Sequence, residues 1–165
     1  LTSKEGKGNY CLYHGNLSVV ENEKAAVWLC DIFKGLNIPL IIAGKNPSNQ
    51  LMNTGQQNKD ISLISNPSEE KMNELISDAQ INILPSFNSS GIKIKLLNVL
   101  FMGRHCIVNN ATVRETGLES LCHSAETEEE FKDAIKKLFD ESFAANEIPS
   151  RFIIAANAVQ IPFRK

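Results

Sequence analysis

The chain has 165 residues, a length that suits one domain able to bury well over half of its unfolded surface. Its 42% hydrophobic and 22% charged residues read as a globular fold. The net charge of -2 lacks the positive field that nucleic acid or an anionic membrane favours, so an anionic ligand must be held by a local site.

Cys11, Cys30, Cys106 and Cys122 are widely spaced, form no C-x-x-C pair and lie in apolar contexts. They read as four buried free thiols in a reducing, cytoplasmic setting rather than as disulfides or metal ligands. His14, His105 and His123 also lack ligand spacing. The sequence has no signal peptide and no apolar run that spans a bilayer, so the chain reads as soluble.

In chain order, "NYCLYHG" is a short apolar run closed by glycine, as in a buried strand, and Ala25, Trp28, Leu29, Ile32 and Leu36 follow at helical spacing. "IPLIIAG" predicts the second strand. "NPSNQLMNTG" predicts a helix with Asn46 as N-cap and Pro47 at its first position. "DISLIS" is a third strand, and Met72, Leu75, Ile76 and Ala79 give the next helix an apolar stripe. "INILPS" is a fourth strand, residues 92–102 a helix, "HCIVNN" a fifth strand and "SLCHS" a weak sixth. Thr127 and Glu130 form a capping box ahead of Phe131, Ala134, Ile135 and Leu138. Strand and helix alternate with short connections and without an internal repeat. That order predicts an α/β fold: a doubly wound, Rossmann-like parallel sheet of about six strands with helices on both faces.

Open sheets of this kind bind ligands at the carboxyl ends of their strands. Three loops there stand out: "HGNLS", "SNPS" and "PSFNSSG". Exposed N–H groups at a helix start attract anions, and a glycine lets a phosphate approach the backbone. With the helix starting near Gly91, that residue shares a face with Lys95 and Asn98. Lys95 is placed to meet a phosphate, the Asn98 amide to meet hydroxyls, and Lys93 lies at the rim of the turn. The plainer reading is a Ser-rich N-cap before a helix with solvent-facing polar residues. The helix is nevertheless apolar nearly all round, which argues for its burial.

Here the sequence resembles a family. Pro85-Ser86, Ser90-Gly91, then Asn98-Val99-Leu100-Phe101-Met102-Gly103 and Cys106-Ile107-Val108 follow a pattern in the second domain of the GT-B fold, family 4 retaining glycosyltransferases. That pattern runs Pro-Ser, Glu-Gly, Glu-Ala-x-x-x-Gly and a strand. The loop "GIKIKLLN" is similar to Gly-x-Arg-x-Lys-x-Leu-Glu of one branch of the group. "HGNLSVVENEKAAVWL" resembles the Val-Gly-Asn-Leu-Ser and Ala-x-x-Trp start of the same branch. The match runs from about Asn9 to Phe139.

The resemblance implies the nucleotide-sugar donor domain of such an enzyme, acting in glycan or polysaccharide biosynthesis; no carboxylate cluster with metal-ligand spacing appears at the strand ends, so donor binding is expected to need no metal. It implies Gly15, Asn16 and Ser18 on one side of the donor and Ser89, Ser90, Gly91, Lys93 and Lys95 on the other. Asn98 takes the ribose position and Asn66 borders the base. Both glutamates of the family's pair are replaced, by Ser90 and Asn98, and a neutral amide holds a hydroxyl less strongly than a carboxylate. Lys93 and Lys95 are left to carry the phosphate charge. No residue is assigned to catalysis.

Residues 1–8, "LTSKEGKG", read as a flexible lead-in, 9–140 as the donor domain, and 141–165 as a tail that packs toward an N-terminal domain or caps the core. The resemblance implies the C-terminal half of a GT-B enzyme, inactive alone, with the acceptor held by the other half. Two alternatives stay open: a degenerate, non-catalytic ligand-binding domain, and another doubly wound nucleotide binder. Against the second, "YCLYHGN" lacks the acidic residues of a receiver and "HGNLSV" lacks G-x-G-x-x-G.

Overall fold

The computed structural model describes residues 2–87, 93–144 and 146–160, with the backbone alone at 93, 155, 156 and 158–160. The elements are β1 (Cys11–Asn16), α1 (Val20–Phe33), β2 (Leu40–Lys45), α2 (Asn49–Gln56), β3 (Ile61–Ser65), α3 (Glu69–Asp78), β4 (Ile81–Leu84), α4 (Lys93–Met102), β5 (His105–Val108), α5 (Asn110–Val113), a 3-10 turn at Glu119–Leu121, β6 (His123–Ser124), α6 (Glu128–Asp140) and α7 (Glu147–Gln160). The strands form one parallel sheet in the order β3-β2-β1-β4-β5-β6. This is the doubly wound arrangement expected from the alternation of elements. Its order reverses between β1 and β4, and the crevice opens at that switch point.

Alternation along β1 sorts the core. Cys11 and Tyr13 join the cluster built with Leu29, Phe33, Phe131 and Ile135 under α1 and α6. Leu12 joins the cluster of Leu75, Ile76, Leu96 and Val99 under α3 and α4. His14, two residues beyond Leu12, therefore belongs to the α3–α4 face.

Side-chain caps mark the starts of α2, α3 and α6. Thr127 and Glu130 make both bonds of the capping box, and Ser68 caps α3 by accepting from Lys71 N. The start of α2 differs from expectation. Its N-cap is Ser48, which accepts from Leu51 N at 3.1 Å, whereas Asn46 has φ 50° and belongs to the turn. A positive φ suits asparagine better than most residues, and it carries the chain around before the helix begins. Two helices, α5 and α7, lie outside the elements expected from periodicity.

Residues 2–8, expected as a flexible lead-in, are tied to the domain. Ser3 N donates to Phe101 O at 3.0 Å, Gly6 and Phe143 exchange two bonds of 2.9 Å, and Gly8 N donates to Gln80 Oε1 at 2.7 Å. In the tail, the Phe152 ring lies 5.1 Å from that of Phe101 and Arg151 is buried, while Ile153 stays 64% exposed. The thiols of Cys11, Cys30 and Cys106 are buried and free. Cys122 is free but half-buried; it follows the 3-10 turn and precedes β6, the edge strand of the sheet.

At the carboxyl ends of β1 and β2, Gly15 pairs with Gly44. A Cβ on Gly44 would lie 1.9 Å from the Gly15 carbonyl oxygen, a backbone clash that no rotamer relieves. Gly44→Ala is expected to lose about 1–3 kcal/mol of stability or more, read from the midpoint of denaturant unfolding; a midpoint equal to the parent's would refute this account of the strand ends.

Candidate functional site

A cavity of about 590 Å³ opens at this end of the sheet, lined among others by His14, Gly15, Asn16, Gly44, Lys45, Glu69, Asn73, Lys95 and Asn98. Its floor is the end of β1 and β2, and its walls are the first turns of α3 and α4. Lys95 and Asn98, three residues apart on α4, face it together, as helical spacing requires. Asn98 is exposed; the apolar side of α4, with Leu96, Val99 and Leu100, is buried. The helix is thus less completely buried than its composition implies, and Ile94 is 73% exposed.

Lys95 reaches back over the end of β1. Its ammonium would stand 2.7 Å from a Cβ on Gly15, so the glycine provides the room it occupies. Its hydrogen bond there, to Asn22 Oδ1, is long at 3.5 Å. No carboxylate pairs with it among the described residues. Burial pulls the pKa of Lys95 below its usual value, because a partly desolvated cation without a counter-charge is disfavoured. The result is a cation tethered by one long hydrogen bond and left without an anion among the described residues.

Asn22, in the first turn of α1, fixes this corner. Its Nδ2 donates to Asn16 O at 2.8 Å, and Tyr13 OH donates to Asn22 O at 3.0 Å. Nothing in the spacing of Asn22 marks it in the sequence; its place in the helix that follows β1 is the available signal. Asn16 accepts from Ser18 N at 3.2 Å and from Ser18 Oγ at 2.7 Å. Asn16 lines the cavity through this closed turn, and Ser18 braces it without lining it.

Asn66 stands apart from the lining. Its Oδ1 accepts from Asn46 N at 3.0 Å and its N–H donates to Gly44 O at 2.8 Å, so it ties two loops together. Ser89, Ser90 and Gly91 lie outside the described residues, as does the side chain of Lys93.

His14 is a further lining residue that the search for metal spacing did not single out. It is 6% exposed, and its Nε2 is buried without a hydrogen-bond partner among the described residues. Burial first and then the Lys95 charge hold its pKa down to about 4, so the imidazole is neutral near pH 7. Among the described residues, no group of three or more His, Cys, Asp or Glu is placed to hold a metal ion. No described helix is long and apolar enough to cross a membrane.

Comparison with known proteins places this geometry. In solved structures, the chain is similar to the GtfA/B complex, with TM-score 0.64 and 15% identity over 94% of this chain and 34% of the other. It is also similar to an α,α-trehalose-phosphate synthase (UDP-forming) from Burkholderia xenovorans in complex with glucose-6-phosphate, with TM-score 0.69 and 9% identity over 93% of this chain and 40% of that one. AviGT4, a glycosyltransferase involved in Avilamycin A biosynthesis, matches with TM-score 0.63 and 12% identity over 93% of this chain and 50% of the other. At these identities the likeness is one of fold, and the chain spans about a third to a half of each structure's length. No curated protein matches the chain in sequence. A family model, Glycosyl transferases group 1, matches residues 8–141, which covers the whole sheet and the cavity; the chain belongs to that family.

Proposed function

We propose that this domain binds the nucleotide-sugar donor of a retaining, family 4-type glycosyltransferase and is the C-terminal half of a GT-B enzyme. One observation carries the reading: the Lys95 ammonium, half-buried over Gly15 at the switch point of the sheet, has no anionic partner among the described residues. A diphosphate supplies that missing charge. Charge-assisted hydrogen bonds are the stronger kind, and the bare backbone of Gly15 and Gly44 lets phosphate oxygens come close.

In this reading Gly15 and Asn16 line one side of the donor, with Ser18 bracing their turn. Ser89, Ser90, Gly91 and Lys93 belong to the other side with Lys95. Asn98 meets the ribose hydroxyls as a neutral amide. Asn66 acts from behind, by shaping the loop that borders the base. Lys45 adds a second cation at the rim, and Glu69 is an acceptor at the α3 wall.

An N-terminal domain of similar type would hold the acceptor, so the chain by itself is expected to bind donor without transferring sugar. Val19, Val20, Phe87 and Ile94 are exposed apolar residues near the cavity's end of the sheet, which supports an apposed partner there. Glycan or polysaccharide synthesis in the cytoplasm agrees with the free thiols.

Binding should be weak and independent of metal, because the phosphate charge rests on lysine. Calorimetry against UDP, GDP and ADP, with and without magnesium, is expected to give the same affinity in both conditions; binding that needs magnesium contradicts the proposal. Lys95→Ala is expected to weaken binding by about 1.5–3 kcal/mol, or roughly tenfold to a hundredfold. Its melting temperature should be unchanged or higher, since the ammonium is disfavoured by burial and lies near the positive end of α4. A variant that melts lower yet binds like the parent would make Lys95 structural.

A further inference from the structure

We propose that His14 is a second contact for the phosphate that Lys95 draws into the cavity, with Nε2 completed by a phosphate oxygen of the ligand. This extends the donor-site reading above and rests on it for the location of the phosphate.

A buried nitrogen without a partner is costly and uncommon in a native fold, yet His14 ends β1 with Nε2 closed off and unbonded among the described residues. His14 is on the face of the sheet whose core cluster includes Leu12, Ala43 and Ile76, where an apolar side chain would leave no polar atom unpartnered. Ser77 Oγ, Asn82 Oδ1, Arg104 Nε and His105 Nδ1 are also buried and unpartnered among the described residues, but of these five only His14 is in the lining of the cavity, where a ligand can supply the partner.

The chemistry of that partner follows from the neighbours. Lys95 is close enough to act on His14 electrostatically; Lys45 and Glu69 are the other charged residues of the lining. Burial is the larger cause that keeps the ring neutral and the Lys95 charge the second; an anion that neutralises Lys95 removes only the second. Lys95 is also the movable member of this corner: a long, flexible side chain held by one 3.5 Å hydrogen bond. When its ammonium turns toward a phosphate, the corner opens to a ligand oxygen. The neutral ring can then donate Nε2–H to that oxygen.

The test compares the parent with His14→Gln, whose amide reaches the position of Nε2, and with the apolar His14→Leu and His14→Phe. UDP and sodium pyrophosphate are the titrants, with melting measured on every variant. Both apolar variants are expected to lose about five- to tenfold in affinity for either titrant and to melt at or above the parent. His14→Gln should stay within about twofold of the parent. An apolar variant that binds pyrophosphate like the parent overturns the proposal.

A reading on the unaltered protein stands beside the variants. The Nε2 resonance of His14 should move on saturation with pyrophosphate, and a resonance that stays in place overturns the assignment. A parent that binds pyrophosphate but neither UDP, GDP nor ADP refutes the nucleotide reading and leaves the His14 comparison decisive. A parent that binds none of them overturns both.

Discussion

The close approach of two glycines at the carboxyl ends of β1 and β2 constrains everything around the cavity. Gly44 cannot carry a side chain, because its Cβ would meet the Gly15 carbonyl at 1.9 Å. Gly15 cannot carry one without pushing against the Lys95 ammonium. Two neighbouring strands therefore carry bare backbone one residue before their carboxyl ends, and β1 is one of the two strands that flank the switch point, where a sheet of this order opens. The space that side chains would fill is left to a cation reaching down from α4, and Asn22 steadies it from α1.

The two ends of the sheet then differ in how their polar groups are used. At the amino ends, hydrogen bonds take up many of them, although Ser77 Oγ, Asn82 Oδ1, Arg104 Nε and His105 Nδ1 stay buried without a partner among the described residues. Gln80 Nε2 donates to Leu138 O at 2.8 Å and Glu141 O at 2.6 Å, while its carbonyl takes Gly8 N. Arg104 gathers the carbonyls of Ser77, Asp78 and Ala79 at the end of α3, which satisfies the orphan acceptors and opposes the negative helix terminus. Arg151 donates to Gly103 O at 3.1 Å and lies 4.5 Å over the Phe143 ring. At the carboxyl ends, Lys95 and His14 remain with little or nothing to hold. Lys95 and His14 differ from the unpartnered groups at the other end in that both line the cavity, where a ligand can reach them.

Much of this was legible in the sequence because periodicity and turn chemistry carry it. The apolar runs before Gly15 and Gly44 became β1 and β2, and the box at Thr127 and Glu130 became the start of α6 as read. The facing of Lys95 and Asn98 follows from their spacing alone. What failed to show depends on tertiary contact. Asn46 looked like a cap because Pro47 follows it, but the chain turns once more there and Ser48 does the capping. The lead-in resembled a linker by composition, although its backbone is spent on Phe101, Phe143 and Gln80. Asn22 and His14 have no motif of their own, and their roles arise from neighbours distant in sequence.

The central claim is that the anion site lies over Gly15. A titration of the nitrogen-labelled domain with UDP, followed by the backbone amide spectrum, tests it most directly. The largest shifts should fall at Gly15, Asn16, Gly44, Lys95 and Asn98. A second cavity of about 370 Å³, lined by Lys34, Asn37, Asn58 and Lys59, offers an internal comparison, since its lysines also attract anions. Shifts concentrated there, with Gly15 and Lys95 unmoved, would contradict the account.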